Sequence, residues 1–431
     1  MNDYYLKHVD NLNNPSEEMR LLSLEKLVEG IEKGEIIRPV TTKDVNNHIH
    51  TSFSFSPYSP TKALWMAYTN GLETAGIMDH DTVAGCMEFA KAGKIIGMAT
   101  TGGMEIRVNM DKTPLAGRKI NNPDQNSIVY MAFHGIPHTR IETVQNWVRP
   151  YAKARNRRNA DMVERLNDIL KPYDMKMDFK EDVASLSEWK NGGSITERHI
   201  SFALAFKLTE RFGKGDGLVD FYKNTMKLPL SAKNEALLLD VNNPVYEYDL
   251  LSAIKSDMID MFYLPATDEC PDVAEALEVA AENGCISAYA YLGDVGQSVT
   301  GDKKPQKFED DYIGELFSVI KKLGFNAVTY MPSRNTMEQL RTVKDLCVKH
   351  DLFQISGEDI NSPRQGFICK AMRDEAFSNL VDSTWALIGH EKLATDNLDN
   401  SMFGEQICSI RPTLSERIPD YMSAGRNIGG R

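Results

Sequence analysis

The chain has 431 residues, 42% of them hydrophobic and 26% charged, with a mean hydropathy of -0.37, which excludes both a single small domain and global disorder. Forty-nine basic against 61 acidic residues leave a formal charge of -12, which argues against a protein that coats nucleic acid through a basic surface. Six cysteines without CxxC spacing, no N-terminal basic region with an apolar run, and no apolar stretch of about 18 residues point to a reducing cytoplasm, with neither secretion by that route nor a membrane partner.

Residues 1–45 are expected to form an N-terminal helical extension, because Leu21, Leu24, Leu27, Val28 and Ile31 recur at helical spacing behind Ser16, a candidate N-cap. From 46 to 142 the pattern changes. Strand-like stretches (VNNHIHTSF, TAGIMDH, GKIIGMATTGGMEIRV, SIVYMAFHG) alternate with helical ones (SPTKALWMAYTNGL, TVAGCMEFAKAGK). Residues 143–264 read as a charged, mostly helical insertion. The β/α rhythm returns over 265–385, with CISAYAYLG, FNAVTYM and LFQISGEDI as strands, and 386–431 reads as C-terminal helices and a tail. Such alternation predicts an α/β protein with a parallel sheet or barrel, whose functional groups gather at the C-terminal ends of its strands.

Those ends carry candidate metal ligands: His48 and His50, then Asp79, His80 and Asp81, then Glu105, then His134. Residues two apart on a strand share a face, so His48 and His50 can turn both imidazoles toward one ion. Imidazole with carboxylate suits zinc, manganese or iron.

The collinear set HIHTSFSFSPYSP, IMDHDTVAG, GMEI and FHGI resembles the opening motifs of the polymerase and histidinol phosphatase (PHP) superfamily of metal-dependent phosphoesterases. ITERHISFALAFKL and LFQISGEDINSP resemble later segments of the branch that hydrolyses nucleotide and oligonucleotide phosphates. The likeness spans roughly residues 46–366. It implies a distorted seven-stranded (β/α) barrel with metals at the C-terminal mouth and a helical insertion over it. Residue by residue it implies a first metal held by His48, His50, Glu105 and Asp359, a second-metal ligand in His134 and a third-metal ligand in His80.

The departures from the family pattern fall on ligands. Phe55 stands where many relatives have aspartate, Asn361 replaces the closing histidine, and Tyr291 falls at the usual Ala-His-Pro strand end. A phenyl ring has no lone pair, and neutral amides and phenols ligate weakly. One or two divalent ions are therefore expected rather than three, with Asp79, Asn361 and Tyr291 as further candidate ligands and Asp81, Asp294 and Glu358 as substitutes.

Arg198, beside His199, is the first choice to meet phosphoryl oxygens, with Arg364 and Arg334 behind it as substrate-binding candidates. Arg198 and His199 are expected to reach the mouth from the insertion. Lys153, Arg155, Arg157 and Arg158 read as a solvated helical face, or as a cluster that draws in phosphorylated substrate. His8, His138, His350 and His390 are left as ordinary histidines. The leading reading is a metal-dependent hydrolase of small phosphorylated substrates using metal-activated water. The alternatives are hydrolysis of a non-phosphate substrate and a catalytically degraded, metal-binding regulatory protein. The oligomeric state stays open.

Overall fold

A computed structural model describes residues 2–295 and 306–427. Helices α1 (Asp3–Asn11) and α2 (Glu17–Glu32) precede β1 (Val45–Ile49), and α3 (Pro60–Thr69), β2 (Thr74–His80), α4 (Cys86–Ile96), β3 (Ala99–Asn109) and β4 (Ile128–His134) follow. The chain then leaves the sheet through α5 (Ile141–Leu170), α6 (Glu197–Phe212), α7 (Asp216–Asp220), α8 (Ala232–Leu239), α9 (Tyr246–Asp257) and α10 (Ile259–Phe262). It returns through α11 (Val273–Glu282), β5 (Ile286–Ala290), α12 (Ile313–Leu323), β6 (Ala327–Tyr330), α13 (Met337–Lys349) and β7 (Phe353–Ser356). It ends in α14 (Ser378–Asp396), α15 (Glu405–Ile410) and α16 (Leu414–Arg426).

The seven strands form one sheet in chain order, β1 to β7, curved into a nearly closed barrel. The predicted strand GKIIGMATTGGMEIRV divides. Lys94 to Ile96 finish α4, Gly97 takes a left-handed φ of 76° that stops the helix, and β3 begins at Ala99. The sheet is also not wholly parallel, since β4 runs antiparallel to both β3 and β5. Residues 110–127 supply no crossover helix, so the chain re-enters at the end it left and must run back.

Closure depends on a narrow seam between β1 and the segment after β7. His50 N–H donates to the Ile360 carbonyl at 2.9 Å and Ile360 N–H to the His48 carbonyl at 3.1 Å. The fully buried Asn46 amide pins the same seam. It donates to the Glu358 carbonyl (3.0 Å) and the Phe367 carbonyl (3.2 Å), and it accepts from the Glu358 N–H at 2.9 Å. Asn47 adds bonds to the Ser356 carbonyl and the Thr384 hydroxyl, both 2.8 Å.

Among the described residues, three large apolar cores hold this frame, with a small fourth around Ile128, Ala266 and Cys270. The largest lies between the sheet and its flanking helices, with Leu24, Leu27 and Ile31 of α2 joining it. Ser16 caps α2 by accepting from Met19 N–H. A second core belongs to the helices between β4 and β5, around Leu166, Leu204, Tyr222, Tyr246 and Phe262. A third joins the inward residues Met78, Ala132, Ala288 and Phe353 to Leu387 of α14 and Tyr421 of α16. The six cysteines are free thiols, five of them buried. No helix among the described residues is long and apolar enough to cross a membrane.

The seam makes a testable demand on Gly357, where an added Cβ would stand 2.6 Å from both the backbone nitrogen and the Cβ of His48. Gly357→Ala should destabilise the fold by about 1 to 3 kcal/mol and lower the thermal midpoint. Gly314→Ala, whose new Cβ meets nothing within 4 Å, should leave the midpoint unchanged or slightly higher. Equal midpoints for the two variants would contradict a close seam.

Candidate metal centre

Strand alternation and register bring five side chains to the barrel mouth. His48 and His50 share a face at the end of β1, with ring centroids 5.0 Å apart. His80 and Glu105 are register partners across β2 and β3, so they also share a face, and His80 Nδ1 lies 3.1 Å from Glu105 Oε2. The seam delivers Asp359, whose Oδ1 is 3.3 Å from His50 Nε2. His48 Nε2 stands 4.0 Å from Glu105 Oε2. Ligand atoms of His48, His50 and Asp359 lie within 4.8 Å of one another, and so do those of His50, His80 and Glu105. His50 belongs to both groups, and its ring stacks on His80 at 4.6 Å.

The electrostatics suit a cation. Burial, helped by the neighbouring His50, pushes the His48 imidazole down to about 4 and His80 well below its ordinary value, so both are neutral with lone pairs available. Burial also acts on His50, but the Asp359 hydrogen bond and charge outweigh it and hold His50 above its ordinary value. Asp359 is correspondingly held below the usual carboxylate range, against the effect of burial. Glu105 is raised to about 7 by burial, with the His50 charge opposing and Asp359 and Asp81 adding to the rise. Three imidazoles and two carboxylates, without cysteine, form a donor set that fits a divalent ion such as zinc, manganese or iron.

Outer contacts orient these groups. Asp79 faces the loop after β1 rather than the cluster. Its carboxylate accepts from Thr51 N–H (2.7 Å), the Thr51 hydroxyl (2.6 Å) and the Ser54 hydroxyl (2.6 Å), while Ser54 Oγ lies 3.4 Å from His50 Nδ1. Asn361 donates to Asp359 Oδ1 at 2.7 Å and braces that carboxylate. Such contacts fix ligand orientation.

Other expected residues lie elsewhere. His134 pairs with Gly103, two residues from the Glu105–Ala132 pair, so it sits one inward level deeper than Glu105. Its Nε2 is buried without a partner, and burial with the nearby His48 pushes it to about 3. Tyr291 commits its hydroxyl to Asp310 at 2.7 Å. Arg364 forks onto Asp249 of α9, with both contacts at 2.6 Å, and so ties the insertion to the post-β7 loop. Arg334 donates to the Leu292 carbonyl at 3.1 Å. Asp294 accepts from Phe308 N–H and Glu358 from the Ser333 hydroxyl. His138 is an ion-pair partner of Glu391 at 3.0 Å, and His390 is fully buried and accepts from Met402 N–H.

The insertion does reach the mouth. His199, in the first turn of α6, accepts the Thr196 N–H at Nδ1 (3.0 Å), which leaves the ring proton on Nε2. Burial, then the Arg155 charge, lowers it to about 3. Arg198 lies with its guanidinium carbon 5.5 Å from the Phe55 ring centroid, and its Nε is buried without a partner. Phe55 packs against His199 at 5.0 Å and Phe202 at 5.4 Å.

The basic cluster of α5 divides, half as the solvated face expected and half not. Lys153 and Arg157 are exposed, while Arg155 and Arg158 are buried in an ion network. Arg155 bridges Asp81 and Glu197, Arg158 bridges Glu197 and Glu269, and Arg107 joins Glu269 and Glu197. Asp81, at a left-handed φ of 54°, also donates its N–H to the Glu105 carbonyl at 2.9 Å. Sequence reasoning missed Arg107, Glu197 and Tyr130, whose ring lies 6.2 Å from His80. A signal existed for two of them: Arg107 shares the Glu105 face two residues on, and Tyr130 is its register partner on β4.

No family model matches the chain. A curated 5'-3' exoribonuclease of Haemophilus influenzae is 36% identical over 70 residues, which are 16% of this chain and 26% of that protein, so the chain matches about a quarter of that relative's length. A solved structure from Bifidobacterium adolescentis, named as a metal-dependent phosphoesterase, aligns over 77% of this chain and 94% of its own at 21% identity, with a TM-score of 0.49. An amidohydrolase from Chromobacterium violaceum, solved with sulfate and no metal, aligns over 76% and 90% at 14% identity, with a TM-score of 0.48. At these values neither structural likeness carries weight for the reaction.

The charge states predict how metal uptake depends on pH. A cation must displace the protons held by Glu105, raised to about 7, and by His50, whereas His48 and His80 are already neutral. Manganese affinity should therefore rise as pH increases from 6 and level off above about 7.5, with about one proton or more released per ion at pH 6.5. Calorimetry in two buffers of different ionisation enthalpy measures that release. Affinity independent of pH would contradict these assignments.

Proposed function

We propose that the protein is a metal-dependent hydrolase of phosphate esters acting on a small phosphorylated substrate. The observation that carries this reading is the convergence of His48, His50, His80, Glu105 and Asp359 at the strand ends, with Arg198 and His199 brought beside them by α6. Those five residues would hold one or two divalent ions. A bound divalent ion supplies Lewis acidity toward a phosphoryl oxygen and lowers the pKa of water from about 15.7 toward about 7.

The chain's own groups supply the rest. The Arg198 guanidinium meets phosphoryl oxygens as their negative charge grows; burial lowers its pKa, and the Asp359 charge opposes that effect. His199 offers its Nε2 proton as a hydrogen bond toward the substrate oxygens, since Nδ1 is already engaged by Thr196. Phe55 keeps water from beneath Arg198 and His199. Asp359, with a side chain 36% exposed, accepts a hydrogen bond from attacking water on the open side of the cluster. Asn361 holds that carboxylate in place.

Turnover of a generic aryl phosphate by protein supplied with manganese or zinc tests the reading. Chelation should abolish turnover. Arg198→Ala should raise KM and lower kcat together, with a loss of about 100-fold or more in kcat/KM, because a charge-assisted contact strengthens in the transition state. Turnover that survives both changes, or metal-loaded protein that cleaves amides or lactones but no phosphate ester, would overturn it.

A further inference from the structure

The buried arginines beside the mouth are matched by carboxylates: Arg107, Arg155 and Arg158 all pair with Glu197, Glu269 or Asp81. Two cations at the mouth depart from that pattern. Neither Arg198 nor Lys255 forms an ion pair with a carboxylate among the described residues, and Arg198 Nε is buried without a partner. A chain with a formal charge of -12 does not lack acids to place there.

These two side chains come from helices that pack together, α6 and α9. Phe202 of α6 and Tyr248 of α9 meet with ring centroids 4.6 Å apart, and Tyr248 also faces Phe55 at 6.0 Å. Arg198 lies one turn before Phe202. Lys255 lies two turns after Tyr248 and on the same face, because residues seven apart nearly superpose on a helix. The chain just after α6 meets the start of α9, with Lys214 paired to Glu247 at 3.0 Å and Gly215 N–H donating to the Tyr246 hydroxyl at 3.0 Å, so the helices run antiparallel and the start of α6 lies toward the end of α9. Consistent with that placement, the Lys255 ammonium is lowered below its ordinary value first by the Arg198 charge and then by desolvation. The Lys255 side chain keeps access to solvent, so an incoming ligand can reach it.

Charge matching narrows the ligand. With an ion bound, Glu105 and Asp359 would contribute two negative charges, which a single divalent ion balances. Arg198 and Lys255 then remain as two positive charges that no carboxylate among the described residues meets in an ion pair, with Asp124 and Asp359 acting on them beyond ion-pair distance. We infer that Lys255, a residue of the insertion, completes a two-cation clamp with Arg198 that takes a terminal phosphate dianion, so that the substrate is a phosphate monoester rather than a diester. This inference rests on the phosphoesterase reading for the reaction, but not for the binding of the anion.

The test uses the full-length, metal-supplied protein with Lys255→Met and Lys255→Arg. Inorganic phosphate, followed by calorimetry, should bind Lys255→Met about 10-fold to 100-fold more weakly than the parent, and Lys255→Arg should recover most of the affinity. In kinetics, kcat/KM for an aryl phosphate monoester should fall in Lys255→Met by a larger factor than for a bis-aryl phosphate diester, which is a monoanion. Equal thermal midpoints for parent and variants establish that the fold is unchanged. Unaltered phosphate affinity in Lys255→Met, or equal losses on monoester and diester, overturns the clamp while leaving phosphoesterase activity standing. Lys255-dependent phosphate binding without turnover of any phosphate ester leaves the clamp and overturns the proposed function.

Discussion

The closing seam of the barrel is the constraint on which the rest depends. The first strand and the segment after the last meet through two backbone hydrogen bonds and the buried Asn46 amide, and Gly357 lets the two backbones approach closely. Asp359 lies within that contact, between Glu358 and Ile360 and 309 positions after His50 by residue number, and it reaches His50 only because the seam is closed. Burying an amide that lacked these partners would cost about 1 to 3 kcal/mol per unsatisfied group, so the same hydrogen bonds that offset Asn46 burial align the cluster. Stability and site geometry share one set of contacts.

A second layer joins the insertion to this frame. Arg155 and Arg158 of α5, Glu197 at the start of α6, Asp81 after β2, Arg107 of β3 and Glu269 before α11 form three positive and three negative groups in one buried network. Buried ion pairs contribute little net stability once desolvation is counted, but removing one partner is strongly unfavourable, so such a network resists rearrangement. Its members adjoin His80, Glu105 and Arg198 in the chain. The network thereby fixes the height of α6 over the barrel and keeps these arginines compensated, in contrast to Arg198 and Lys255.

Much of the architecture was legible from residue order. Seven strand-like stretches bounded by helical ones correspond to seven strands, and Ser16 caps the helix expected behind it. His48, His50 and Glu105 could be singled out because their residue types fall at strand ends, and Asp359 through the resemblance of LFQISGEDINSP to a family segment. The structure groups Asp359 with the two histidines of β1, and Glu105 with His50 and His80. What was not legible depends on register and partners. The reversal of β4 lowers His134 by one level, and no periodicity within SIVYMAFHG reveals a strand's direction. Arg155 and Arg158 resemble surface residues until Glu197 and Glu269, distant in sequence, are placed against them. Likewise Tyr291, Asp79 and Arg364 fell near the right strands, yet their polar atoms are engaged by Asp310, by Thr51 and Ser54, and by Asp249.

The account stands on one ion shared across the seam. An anomalous difference map from a crystal soaked in zinc tests it most directly. The account predicts a peak at bonding distance, about 2.0 to 2.2 Å, from imidazole nitrogens of His48 and His50 and from a carboxylate oxygen of Asp359. A map with no peak at the barrel mouth, or with zinc bound there without Asp359, would contradict it.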